Sequence, residues 1–337
     1  MRFLPIGPPL IAMLLVVALS GCAGEQATAS NATPSATAEP ATPSAEPAES
    51  GPQSAFGGDC DAVAPAEEIA DATGVSAVLQ PRADDGSASD WSVVSLGGIR
   101  CVWIDSAGNG AWVTAIPVAA VAPEVVDAAS EGQPYCYGSG CSFSEIVGDW
   151  WFAGVVSTGP DSGSPAEAAV GALVDGFASR AGAVAAVVPT AAPGTWSSVP
   201  DCATLDLEVA TVDDTGLDLD ASPGNGPAEA GPGVYGALSA TGSSSCLWTK
   251  DAVLVSTALL PGGQWVLDRL AARAGASEVV VPGGSDALLL PDAGDASEVA
   301  GLYLTDGVNL VFGRSADLTT EQLGAMLGSI LAAVEGS

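Results

Sequence analysis

Chemistry in this chain has to come from sulfur and carboxylate. It carries seven cysteines, 40 Asp+Glu against 8 Lys+Arg, a single lysine at Lys250, and no histidine. Without histidine there is no Ser-His-Asp or Cys-His activation of a nucleophile, and the commonest zinc ligand is missing. Paired carboxylates can cleave a glycosidic bond when held roughly 5 to 10 Å apart. Among 40 acids such pairs arise by accident, and no motif sets one in a cleft. No catalytic residue, cofactor or metal is therefore expected.

Two acidic segments invite a calcium test. Counted from Asp84, positions 6 and 12 are Ser89 and Ser95, where an EF-hand loop needs Gly and Glu. Counted from Asp218, positions 1, 3, 5 and 12 are Asp218, Asp220, Ser222 and Glu229, all oxygen donors. Position 6 is Pro223, which cannot take the positive φ of that turn. A solvated loop is the expectation, with a weak site from Asp218, Asp220 and Glu229 as the alternative. The net charge of -32 argues against nucleic acid, which needs clustered Lys and Arg. It favours a basic protein partner or loosely held divalent cations.

The first cysteine stands in Leu19-Ser20-Gly21-Cys22, after an apolar run of about ten residues from Leu10 and one positive charge at Arg2. A bilayer-spanning helix needs roughly 20 apolar residues. The four residues resemble the lipobox of bacterial lipoproteins. The resemblance implies a signal peptide over 1–21, cleavage before Cys22, and a diacylglycerol on its sulfur. The protein would then sit on the outer face of the cytoplasmic membrane, held there by the lipid. Residues 22–56 supply the lipidated cysteine and an Ala/Pro/Ser/Thr-rich linker that cannot build a core. At about 3.1 Å per residue, such a tether reaches on the order of 100 Å, into the cell wall.

Positioning of the other six cysteines follows from an internal repeat. Cys60 precedes Cys101-Val-Trp103 by 41 residues, and Cys202 precedes Cys246-Leu-Trp248 by 44. A strand-like run follows each motif, Ala111–Val118 and Ala252–Leu260, then a helix-like segment, Pro123–Ala129 and Gln264–Ala274. A hairpin comes next, turning at Gly148-Asp149 or at Asp306-Gly307. Each half ends in an amphipathic helix. One opens with a capping box from Ser164 to Glu167, with Pro165 at its first helical position. Its apolar stripe is Val170, Leu173, Val174, Phe177 and Ala181. The other opens at Thr319 and carries Leu323, Met326, Leu327, Ile330 and Val334.

The repeat pairs Cys60 with Cys101 and Cys202 with Cys246, each bridge worth roughly 4 kcal/mol in the chain-entropy treatment. Cys136 and Cys141 flank Tyr137-Gly-Ser-Gly140 and have no counterpart in the second half, so they should pair with each other; the rival reading, a redox-active or metal site, is weakened by the four intervening residues and the absence of histidine and of another free thiol. All three bridges are expected to resist reduction until the fold opens.

The fold expected is α+β: two tandem repeats of an antiparallel sheet with helices packed on one face. The modules span 57–189 and 198–336, joined by a linker over 190–197. Trp103 and Trp248 lie two residues after a cysteine, so they share its strand face and should pack on the bridge. With Cys60-Asp-Ala-Val-Ala-Pro-Ala-Glu-Glu-Ile and Cys101-Val-Trp103, the chain resembles actinobacterial lipoproteins of unknown function, and is similar to sensor-like extracellular domains of some bacterial kinases. The second copy departs from the pattern, since Cys202-Ala-Thr-Leu-Asp-Leu lacks the Pro-x-Glu helix start. The resemblance implies fold and address and carries no catalytic residues.

The candidate binding patch is aromatic. Trp150 and Trp151 are adjacent, so in a strand they face opposite sides, and a sheet covered on one face would expose one of them. Tyr135, Tyr137 and Phe143 lie near in sequence. The expectation is a non-enzymatic, membrane-anchored module that binds an envelope ligand or a basic protein partner. A structural accessory docking to a membrane complex is the second reading, and a carboxylate-based wall-glycan hydrolase the third.

Overall fold

Two antiparallel sheets organise the protein in a computed structural model that describes residues 51–80, 88–131, 134–159, 165–223, 231–281, 286–290 and 301–336. The signal segment, Cys22 and the tether up to residue 50 lie outside the described residues. The first sheet contains β1 (Val78–Leu79), β2 (Ile99–Ile104), β3 (Gly110–Pro117), β4 (Tyr135–Tyr137), β5 (Gly140–Val147) and β6 (Trp150–Ser157). Its order is β1-β2-β3-β6-β5-β4. The second contains β7 (Asp220–Pro223), β8 (Ser244–Lys250), β9 (Val253–Leu260), β10 (Ser277–Val279), β11 (Asp286–Leu290), β12 (Gly301–Thr305) and β13 (Leu310–Ser315). Its order, read from the matching edge, is β7-β8-β9-β13-β12-β11-β10. Strand for strand the two orders agree, with β10 added at the far edge of the second. The Cys-x-Trp strand is second in both.

The sulfur bridges fix how each half begins. Asp59 and Asp201 stand before Cys60 and Cys202 and cap the short helices α1 (Cys60–Val63) and α6 (Cys202–Glu208), accepting from the backbone N–H of Asp61 and Thr204. The Cys60–Cys101 and Cys202–Cys246 bridges then tie those helices to β2 and β8. Trp103 and Trp248 are fully buried beside the bridges, as their spacing requires. Helix α2 (Ala66–Thr73) follows α1, and α7 (Thr211–Thr215) follows α6.

The two long helices close these cores. α5 (Ala166–Ala181) buries Val170, Leu173, Phe177 and Ala181, with Val174 half-buried. Phe177 stacks on Phe152 with ring centroids 4.2 Å apart. Pro165 is the cap residue of this helix, one position earlier than the sequence suggests, and Ser164 lies outside the described residues. α10 (Thr320–Gly336) buries all five residues of its stripe. Its capping box is formed: Thr319 N–H donates to Gln322 Oε1 at 3.1 Å and Gln322 N–H to Thr319 Oγ1 at 3.2 Å.

The sheets are not covered on one face only. Their second faces are filled by four more helices: α3 (Ala88–Ser95), α4 (Pro123–Glu131), α8 (Gly231–Thr241) and α9 (Gln264–Ala271). Two of these cross between the halves. α8, from the second half, packs on β3, β5 and β6 of the first sheet, and α3, from the first half, packs on β9 of the second. Trp91 of α3 meets Tyr303 and Phe312 edge-on, each at 5.8 Å. Gly236 of α8 lies against Trp151, where a Cβ would come within 2.4 Å of the indole. Ser92 Oγ donates to Ser243 Oγ at 3.0 Å beside the crossing. Glu49–Ser337 is accordingly one compact unit.

Candidate functional site

The predicted aromatic patch is divided by the sheet. Trp150, on the bridge-bearing face, is 1% exposed and packs on Phe56 at 5.1 Å. Trp151, on the other face, is also 1% exposed, under Gly236 of α8. Its indole N–H donates to Ser144 Oγ at 2.8 Å. Phe143 is buried against Phe152 at 5.3 Å. All three residues are core: Trp150 and Phe143 lie in the bridge-bearing core closed by α5, and Trp151 is covered because the face expected to be open is roofed by α8 from the other half.

Tyr135 and Tyr137 are what remains at the surface, 74% and 85% exposed. They sit on β4, the three-residue edge strand of the first sheet. Residues two apart on a strand share a face, so both rings leave the sheet on one side. The strand is held by its antiparallel register with β5, Tyr135 opposite Ser142 and Tyr137 opposite Gly140. Between them Cys136 stands directly opposite Cys141 and is bonded to it. Gly138, at φ 61°, makes the turn that lets the strand return within so few residues. The result is a small arm bearing two aromatic side chains, clamped at its centre by a disulfide.

Beside the arm, Ser142 Oγ donates to the Tyr135 carbonyl at 3.5 Å. Glu145 shares a strand face with Cys141, Phe143 and Val147 and lies opposite Phe152, so burial raises its carboxyl above the ordinary value. Two surface depressions elsewhere are acidic. One is bordered by Glu208, Asp213 and Asp214 beside the end of α10, the other by Glu67, Glu68 and Asp71. Glu68 is engaged by Arg180, whose guanidinium reaches both carboxylate oxygens at 2.6 and 2.9 Å and the Val63 carbonyl at 2.7 Å. That contact staples α5 to the start of the half.

The calcium alternative takes no EF-hand form. Asp220–Pro223 is the strand β7, pairing with β8, and Asp218 and Asp220 are exposed. Glu229 lies outside the described residues, as does Asp84. Among the described residues, no group of three Cys, Asp or Glu side chains is placed to hold a metal ion.

One polar residue was not singled out in the sequence and organises much of the second half. Asn309 is 1% exposed and satisfied at both ends. Its Oδ1 accepts from the N–H of Trp196 and of Gly262, both at 2.9 Å. Its Nδ2 donates to the Gly194 carbonyl at 3.0 Å and to Asp306 Oδ2 at 2.8 Å. The segment between the halves is thereby pinned to the second hairpin. The sequence signal was Asp306-Gly-Val-Asn309, a short polar cluster between two strand-like runs. No helix of the described residues is long and apolar enough to cross a membrane. No protein-family model matches the chain, and neither a curated protein nor a solved structure matches it.

Proposed function

We propose that this chain is a non-enzymatic lipoprotein, anchored through Cys22 on the outer face of the cytoplasmic membrane, whose folded body docks a protein partner. Support for the address comes from Leu19-Ser20-Gly21-Cys22, the Ala/Pro/Ser/Thr-rich composition after it and the pairing of all six remaining cysteines. We infer that the body arose by duplication, which the common strand order and the two Asp-Cys helix starts support.

The observation that carries docking is the arm. Both faces of each sheet are packed with helices, while Tyr135 and Tyr137 are held out on a strand fixed by a disulfide. Tyrosine offers large contact area with a polar tip, and a rigid strand loses little entropy when it is covered. The acidic body favours a partner with a basic contact surface. The test is a photo-crosslinking residue placed at position 137 in intact cells, with exposed Val280 as control position. A protein adduct specific to position 137 is expected, and the same adducts from both positions would contradict the reading.

A further inference from the structure

The three disulfides differ in what surrounds them. Cys60, Cys101, Cys202 and Cys246 are all buried, and their bridges lie inside the two cores, among the residues that pack on Trp103 and Trp248. Cys136 is exposed, on an edge strand outside both cores. Only its partner, Cys141, is buried, at the rim of the first core. An attacking thiolate must reach a sulfur in line with the bond, so access decides which bridge exchanges first. Cys136 and Cys141 are five positions apart, against 41 and 44 for the other pairs, so this bridge also constrains the chain least.

We propose that Cys136–Cys141 is a thiol–disulfide exchange site, opened by a dithiol reductant while the two core bridges stay closed. The reductant's thiolate attacks Cys136 Sγ, forming a mixed disulfide. The Cys136–Cys141 bond breaks, and Cys141 leaves as a thiolate that takes a proton from solvent. The reductant's second thiol then attacks the mixed disulfide and releases Cys136. Two electrons pass to the protein, and the dithiol ends as its own disulfide. With the bridge open, β4 is held by its short register with β5 and by the Ser142 Oγ hydrogen bond to the Tyr135 carbonyl, and Tyr135 and Tyr137 lose the clamp between them. The consequence for docking rests on the function proposed above; the exchange itself does not.

The test is a dithiothreitol titration of the intact, folded protein, with alkylation and peptide mass spectrometry at each step and tryptophan fluorescence in parallel. Cys136 and Cys141 are expected to be alkylated at roughly tenfold lower reductant than the other four cysteines, with native fluorescence retained. Alkylation of all six together, or of this pair only once fluorescence changes, would overturn the proposal. A variant with both Cys136→Ser and Cys141→Ser is expected to fold and to show no thiol at low reductant. Failure of that variant to fold would also overturn it, because the bridge would then be structural.

Discussion

Trp103 and Trp248 occupy matching places in the two halves and differ by one hydrogen bond. Trp248 donates its indole N–H to Thr257 Oγ1 at 2.8 Å, whereas the buried N–H of Trp103 has no acceptor. Register explains the difference: Thr257 lies opposite Cys246, and the residue opposite Cys101 is Val113. A buried donor without a partner costs about 1–3 kcal/mol, and a net hydrogen bond contributes about 1. Thr257→Val is therefore expected to destabilise the protein by about 1–2 kcal/mol, and Val113→Thr to stabilise it by up to about 1 kcal/mol, both read from urea unfolding. Glu145 gives a prediction with a pH sign. Its folded value is raised above 4.5, so between 4.5 and that value the folded state binds more protons than the unfolded one. Its ionised form thus weakens the fold as pH rises through that window. Glu145→Gln is expected to raise the melting temperature relative to the parent at pH 7, with no gain below 4.5. An equal effect at both pH values would contradict the burial argument.

At the scale of elements, what could be read from the sequence was whatever shows its own period. The stripes of α5 and α10, the strands after each Cys-x-Trp motif and both hairpins lie where alternation and turn residues place them. Only the second turn is longer than Asp306-Gly307 suggests, running on to Asn309, which closes it onto Asp306. α3 and α8 were not legible, and their surroundings explain why. Trp91, Ser92, Val93 and Val94 are consecutive and all buried, so α3 shows no helical stripe in its sequence. α8 begins Gly231-Pro-Gly233 and contains Gly236, a composition that reads as loop. Those glycines answer to a distant partner: a Cβ at Gly233 would meet Thr114 at 2.6 Å, and at Gly236 Trp151 at 2.4 Å. The candidate site inherits the same limit. Whether Trp151 is exposed depends on a helix about 80 residues away in the chain, which no local pattern reports. Gly236→Val is expected to cost about 1–3 kcal/mol through overpacking, with a shift in the fluorescence of the first sheet's tryptophans.

For the whole molecule, the exchange of α3 and α8 joins the halves thermodynamically. The cluster on the second face of each sheet includes a helix from the other half, so neither of those two clusters closes alone. Gly236→Val, against the first sheet, and Trp91→Ala, against the second, are both expected to lower one shared unfolding midpoint. Two separated transitions, with one unaffected by each variant, would show independent modules. The most direct test of the account is native mass spectrometry of the full chain extracted gently from the cells that make it, parent beside a Tyr135→Ser/Tyr137→Ser variant. The parent is expected to carry a diacylglycerol on Cys22 and one bound protein at fixed stoichiometry, which the variant loses. A parent that is an empty monomer, or that retains a small molecule unaffected by the two tyrosines, would contradict the docking function.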